Sequence, residues 1–192
     1  WAAGITDVGE NKVQEATTKM DALVDAACTR GGVRWHLIGH LQTNKAKDIA
    51  KLPIALLHTV DRSDLVVALD KRLSATLPVL IQVDIDREDQ KAGVLPEGLD
   101  ALVDQVVGSA KLALRGLMAI PRPRAEVGDV ALRRSFEALR AHADSLAARL
   151  GHSSIVSMGM SDDFELAIAA GSTHVRVGSA LFGARPQRQP NQ

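Results

Sequence analysis

The stretch SIVSMGMSDDFELAIAAGSTHVRVGS, residues 154–179, decides the fold. Two short apolar runs, Ser154–Met158 and Thr173–Val177, flank a segment whose apolar residues recur at helical spacing. Ser161, followed by two aspartates, supplies a capping side chain and acids at the start of that helix, and Gly171 ends it. A strand, a crossover helix and a second strand predict two parallel neighbours in one sheet.

The same alternation of apolar runs and helical segments extends back to the start of the chain. Five more runs predict strands: Ile5–Gly9, Arg34–Ile38, Leu56–Val60, Pro78–Ile85 and Leu112–Met118. Apolar residues step by three or four from Val13 to Ala27 and again from Leu132 to Leu150, as one face of a helix requires. Asp129 is the expected N-cap of the second helix, and Gly151 follows its end.

A repeated β-α pattern is typical of two architectures, an open doubly wound sheet and a closed (β/α)8 barrel. The segment Asp7–Asn11 lacks the glycine-rich turn G-x-G-x-x-G that follows the first strand of many open sheets. Seven units of about 25 residues favour the barrel. A complete barrel rarely has fewer than about 200 residues, and the 192 residues of this chain fall just short of that length. We therefore predict an α/β protein with a (β/α)8 TIM-type barrel whose first βα unit is missing from the chain. Residues 1–185 form this single domain, and residues 186–192 form a disordered tail.

Charge and composition narrow the range of partners. The chain has 23 basic and 23 acidic side chains and a pI near 7.2, which disfavours a nucleic-acid-binding protein. No apolar run approaches the ~20 residues of a membrane span, so no membrane partner is expected. Cys28 is the single cysteine, and no disulfide can form within the chain. We expect a cytoplasmic monomer.

The last two predicted strands carry the strongest signals for a site, because barrel active sites lie at the carboxyl ends of the strands. The run SMGMSD, residues 157–162, joins a strand to a helix and offers hydroxyls and free backbone N–H groups for an anion. The alternative is that Ser161 only caps the helix and Ser157 only ends the strand. The small residues Gly178 and Ser179 would allow close backbone approach to a phosphate.

Arg176 alternates with two valines in the last strand, and it faces the barrel interior if the valines face the outer helices. A guanidinium in such a place needs an acid, carbonyl groups or a ligand. A structural pair with a buried acid such as Asp84 is the alternative. His36 and His40 lie four residues apart in a segment that begins as a strand, so a metal site is not expected.

Five motifs in order along nearly the whole chain resemble the YggS/PROSC-type family of pyridoxal-phosphate (PLP) homeostasis proteins. They are GENKVQE (9–15), WHLIGHLQTNK (35–45), GLM (116–118), SMGMS (157–161) and VRVG (175–178). The resemblance implies a PLP-binding barrel of the alanine-racemase N-terminal type. It also implies a role in intracellular PLP homeostasis without robust turnover, with apo forms of PLP enzymes as partners.

The resemblance carries six cofactor-binding positions over to this chain: Asn11, Ser157, Met158, Arg176, Gly178 and Ser179. It implies that Ser157 and the backbone of Met158 contact the phosphate. Gly178 and Ser179 would complete the phosphate cradle. Arg176 would approach the pyridine nitrogen, and the remaining asparagine would lie at the edge of the cofactor.

Three features argue against a PLP enzyme. The family's Schiff-base lysine lies in a V-S-K run that this sequence does not contain, in agreement with a missing first unit. A cationic Arg176 at the pyridine nitrogen disfavours protonation of the ring, which weakens carbanion chemistry. Racemases with this arginine use a tyrosine base, and the sequence has no tyrosine. We therefore assign no catalytic residue and predict a PLP carrier; the alternatives are a weak, racemase-like PLP enzyme and a phosphosugar enzyme.

Overall fold

The computed structural model describes residues 4–23, 33–88 and 90–183. Within these ranges seven strands form one sheet, in which every pair of neighbours is parallel and the spatial order follows the chain order. The strands are β1 Asp7–Glu10, β2 Arg34–Leu37, β3 Ile54–Val60, β4 Leu77–Gln82, β5 Leu112–Met118, β6 Ile155–Met160 and β7 His174–Arg176. The sheet curls into a nearly closed barrel with helices between the strands, which confirms the predicted fold class.

Helices follow the strands along the chain. They are α1 Val13–Leu23, α2 Ala46–Ile49, α3 Ser63–Arg72, α4 Leu99–Gly108, α5 Arg124–Leu150, α6 Phe164–Ala169 and α7 Ser179–Phe182, with short 3-10 turns at Thr43–Lys45 and Pro96–Gly98. The predicted disordered tail, Ala27 and Cys28 lie outside the described residues. No helix in the described ranges is both long and apolar enough to cross a bilayer.

Side chains alternate between two cores along each strand, as extended backbone requires. In β6, Val156 and Met158 belong to the large core between the sheet and the helices. A much smaller apolar cluster lies on the opposite face, inside the barrel, where Ile155 packs against it; its members are Leu56, Leu80 and Met118. The rest of the interior is therefore left to polar side chains, and these form the candidate site.

The long helix α5 matches its predicted apolar face, with Leu132, Phe136 and Leu139 fully buried. Gly151 ends it in the left-handed conformation at φ 71°, as predicted. Its start differs, because the backbone breaks at Gly128 with φ 74° and ψ 169°. The next residue, Asp129, makes no cap hydrogen bond and instead binds the Arg124 guanidinium through two contacts of 2.6 and 2.8 Å.

Two glycines let the carboxyl ends of the strands approach neighbouring backbone. A Cβ added to Gly39 would lie 2.0 Å from the carbonyl oxygen of Asn11, so only glycine allows β1 and β2 to end side by side. Gly159 in β6 has φ +94°, and a Cβ there would lie 2.5 Å from the Ala167 Cβ of α6. Both positions hold the loops of the site close to the barrel.

Candidate functional site

A cavity of about 710 Å³ opens at the carboxyl ends of β5, β6 and β7. Its walls come from the loop after β4, the segment between β5 and α5, the start of α5, the end of β6 with the loop that follows it, and the end of β7. They include Ile120, Pro121, Arg124, Met160, Asp163 and Arg176. This is the end of the barrel where the sequence predicts the site.

Arg176 points into the barrel, as its alternation with Val175 predicts. Its Nη1 donates to Ser157 Oγ over 2.7 Å, and its Nη2 donates to the carbonyl of Ala119 over 2.9 Å. The described residues supply no ion pair to this guanidinium, and Asp163 acts on it only at longer range. The predicted alternative, a pair with Asp84, is therefore not formed. Burial lowers the pKa of Arg176 to about 10, which still leaves a full positive charge beside the cavity at neutral pH.

Ser157 connects Arg176 to two histidines inside the barrel. The serine side chain is fully buried, and its Oγ lies 3.0 Å from His58 Nδ1. His58 Nε2 lies 2.9 Å from His36 Nδ1, and His36 Nε2 lies 3.0 Å from Asp7 Oδ1. An unbroken row of hydrogen bonds therefore crosses the interior from β7 to β1.

The charges along this row are set by burial and by one ion pair. Hydrogen bonds from Arg34, at 2.7 and 2.8 Å, hold the pKa of Asp7 well below its usual range. Burial lowers the pKa of His36, and it lowers the pKa of His58 to about 2. Burial also lowers the pKa of His174, whose ring centroid lies 6.3 Å from that of His36. The interior therefore holds neutral imidazoles between an anionic and a cationic end.

Ser161 joins the two loops that follow β6 and β7. Its Oγ accepts the backbone N–H of Gly178 over 3.2 Å and that of Ala180 over 3.3 Å. The predicted role of Ser161 as the cap of the following helix is wrong: that helix, α6, begins only at Phe164, after Asp163. The N–H groups of Gly178 and Ala180, after β7, thus converge on the Ser161 hydroxyl oxygen, which follows β6.

Of the six predicted cofactor-binding residues, Arg176 is the one that lines the cavity; the others lie in β6 or follow β1 and β7. Ser157 and Arg176 touch each other in the interior. Met158 turns its side chain to the outer core, and its carbonyl accepts from Ser172 Oγ over 2.8 Å. Gly178 precedes α7 and Ser179 begins it, both at the surface. Asn11 follows β1, and its backbone packs against Gly39, two residues after the end of β2. Their contacts with a cofactor stay predictions.

Sequence reasoning missed two participants, Asp7 and His58, and it did not predict that the Ser161 hydroxyl bridges two loops. His58 could have been found, because it is the one ionisable side chain of the apolar run Leu56–Val60. Asp7 gives no such signal, since only the fold places it beside His36. His40, four residues after His36 in the sequence, lies outside this row: its Nδ1 is 3.1 Å from Asp61 Oδ2.

Comparison with known proteins agrees with this architecture. Residues 1–186 match the family described as "Alanine racemase, N-terminal domain". The Escherichia coli K12 protein named "Pyridoxal phosphate homeostasis protein" is 43% identical over 189 residues, covering 95% of this chain and 77% of the relative.

Two solved structures extend the comparison. PipY of Synechococcus elongatus, solved with PLP bound, is 34% identical with a TM-score of 0.81, covering 95% of this chain and 84% of that one. Alanine racemase of Corynebacterium glutamicum is 17% identical with a TM-score of 0.61, covering 95% of this chain and 48% of that one, and shares the fold. With its seven parallel strands and its interior arginine, this chain belongs to the alanine racemase N-terminal domain family and, within it, to the pyridoxal phosphate homeostasis proteins.

Proposed function

We propose that this protein binds PLP at the carboxyl ends of β5–β7 and serves PLP homeostasis by sheltering the cofactor and delivering it to apo enzymes. The observation that carries the proposal is Arg176, a cation without an acidic partner among the described residues, at the wall of a cavity of about 710 Å³. A buried guanidinium without an acid is costly unless an electron-rich ligand pairs with it. The PLP-bound PipY structure and the names of the homologous proteins support the choice of ligand.

The donors at this end of the barrel suit PLP. Its phosphate is an anion that backbone N–H groups and hydroxyls bind well. The N–H groups of Gly178 and Ala180 both donate to Ser161 Oγ in this structure, and a phosphate bound there would replace that oxygen as their acceptor. Two of the five N–H donors of Arg176 are used by Ser157 and Ala119, so others are available to a ring nitrogen. The places of Asn11 at the edge of the cofactor and of the Met158 backbone beside its phosphate stay predictions.

The same residues disfavour vigorous catalysis. Bound PLP supplies an electrophilic aldehyde and an electron-withdrawing ring. A permanent cation at the pyridine nitrogen opposes its protonation, and the sequence contains no tyrosine to act as a base. Both ring nitrogens of His36 and of His58 already have hydrogen-bond partners. A site that binds PLP through these non-covalent contacts but activates it weakly is suited to a carrier.

Delivery can be measured directly. The protein is loaded with PLP, freed of excess by gel filtration, and mixed with an apo PLP enzyme whose recovered activity reports transfer. We expect activity to return without free PLP being added, and Arg176→Gln to carry less PLP than wild type. Arg115→Gln is the matched control, because Arg115 is an exposed arginine on β5, which β6 separates from β7. Failure of the wild type to retain PLP, or to restore the apo enzyme, would contradict the proposal.

A racemase-like activity is separated from carriage by a second measurement on the same loaded protein. Amino acids are incubated with it in deuterated water, and exchange of their α-protons is followed by NMR. We expect exchange no faster than with free PLP at the same concentration. Exchange well above that level, lost in Arg176→Gln, would instead identify the weak PLP enzyme.

A further inference from the structure

The hydrogen bonds inside the barrel form a row whose two ends have fixed chemistry. We call Asp7, His36, His58, Ser157 and Arg176 the interior row; its successive contacts measure 3.0, 2.9, 3.0 and 2.7 Å. An arginine side chain can only donate hydrogen bonds, and an ionised carboxylate can only accept them. Each group between these ends is able to donate on one side and to accept on the other.

These ends leave one arrangement of protons. His36 must donate from Nε2 to the Asp7 carboxylate, so in the neutral ring its Nδ1 accepts. His58 must then donate from Nε2 to that acceptor, and its own Nδ1 accepts. Ser157 therefore donates its hydroxyl proton to His58, and its oxygen is free to accept from Arg176.

We propose that His36 and His58, held by Asp7 in the Nε2–H tautomer, are positioning residues that orient Arg176 toward its ligand. The inference rests on the proposed function for the identity of that ligand, but not for the direction of the hydrogen bonds. If either ring carried its proton on Nδ1, two acceptors would meet at Asp7, or two like groups would meet between the rings. With the proton on His58 Nδ1, Ser157 would accept from both His58 and Arg176, and its own hydroxyl proton would no longer be directed at His58 to fix the lone pair that faces Arg176.

The surroundings of His58 keep it neutral and preserve this direction. Three titratable or charged groups act on it besides its partner Ser157: His36 from β2, and Arg176 and His174 from β7. The positive charge of Arg176 disfavours a second cation at His58. His58 is 2% exposed, so water cannot replace a lost partner.

The test is the tautomeric state of both histidines, read from the ring ¹⁵N shifts of histidine-labelled protein at pH 7 without ligand. We expect His36 and His58 to be neutral with the proton on Nε2. In Asp7→Asn the introduced amide can donate as well as accept, so the order is no longer imposed and the tautomers mix. Arg34→Gln is the matched control: it removes the ion pair with Asp7 but keeps the carboxylate, and the tautomers stay as in wild type.

Affinity for PLP then connects the row to the site. Asp7→Asn should weaken PLP binding by about fivefold, the factor expected for one hydrogen bond, and Arg34→Gln by less than about twofold. A wild-type His58 with its proton on Nδ1, or an Asp7→Asn variant with unchanged tautomers and affinity, overturns the inference. Absence of PLP binding by the wild type with the expected tautomers contradicts the proposed function instead, so the two failures are distinguishable.

Discussion

Arg176 Nη1 donates to Ser157 Oγ over 2.7 Å, and this hydrogen bond joins a side chain of β7 to one of β6 inside the barrel. The two residues come from two of the motifs that carry the family resemblance, and the fold makes them neighbours. No described acid forms an ion pair with the guanidinium, so its positive charge is not neutralised by the protein and acts on the cavity that it lines.

Loss of the Ser157 hydroxyl should destabilise the fold. Ser157→Ala leaves Arg176 Nη1 and His58 Nδ1 without a partner in the interior, and an unsatisfied buried polar group costs about 1–3 kcal/mol. Urea unfolding followed by circular dichroism measures the loss. Ser153→Ala, at an exposed serine, is the control and should change the free energy of unfolding by less than about 0.5 kcal/mol. Equal stability of the two variants would contradict the row of hydrogen bonds.

A side chain at Gly39 should also destabilise the protein. Gly39→Ala places a Cβ 2.0 Å from the Asn11 carbonyl oxygen, so the ends of β1 and β2 must separate, at a cost of about 1–3 kcal/mol. At Gly108, the last residue of α4, an added Cβ meets nothing within 4 Å. Gly108→Ala should therefore leave stability unchanged or raise it by up to about 1 kcal/mol. Equal melting temperatures for the two variants would contradict the close approach of Gly39 to the Asn11 carbonyl.

The pH dependence of stability should report His58. Its pKa falls from the ordinary value of 6.5 to about 2 on folding, so below pH 6.5 the unfolded chain binds a proton that the folded chain does not. The contribution of neutral His58 to the free energy of unfolding is thus complete above pH 6.5. Below that pH it declines by about 1.4 kcal/mol per pH unit. Urea unfolding between pH 7.5 and pH 4.5 should show a shallower decline for His58→Gln than for wild type. Parallel curves would mean that the histidine is not held neutral.

Ser161 should protect the loop before α7. Its Oγ is the acceptor for the N–H groups of Gly178 and Ala180, so Ser161→Ala should speed the hydrogen exchange of both amides. Exchange followed by NMR measures the two rates, and amides of β4, far along the sheet, serve as the internal reference. If a phosphate shares this cradle, adding PLP should slow both amides in wild type. Unchanged rates in the variant would show that the two loops are not joined by this hydroxyl.

Much of the fold can be predicted from the sequence because its signals are local. Apolar runs of strand length and the helical spacing of Leu132, Phe136 and Leu139 depend only on neighbours in the chain, and both are confirmed. Alternation within one strand also placed Arg176 inside. The break at Gly128 was not predicted, since a glycine at the surface gives no sign of its backbone angles.

The site is less predictable because it depends on distant residues. Asp7 and Arg176 lie at opposite ends of one row, yet they are 169 positions apart in the sequence. Ser161 has the residue type and position of a helix cap, and only the fold brings Gly178 close enough to take its hydroxyl. A pattern of residue types predicts which atoms could bind; the closure of the barrel decides which of them meet.

The most direct test of the account is the affinity of the protein for PLP, measured by isothermal titration calorimetry. Wild type and Arg115→Gln should bind PLP with the same dissociation constant. Arg176→Gln, checked for native circular dichroism, should bind about 10- to 100-fold more weakly, as the loss of a charged hydrogen-bond donor predicts. Equal affinity of all three proteins, or no binding by the wild type, would contradict the assignment of Arg176 to the PLP site.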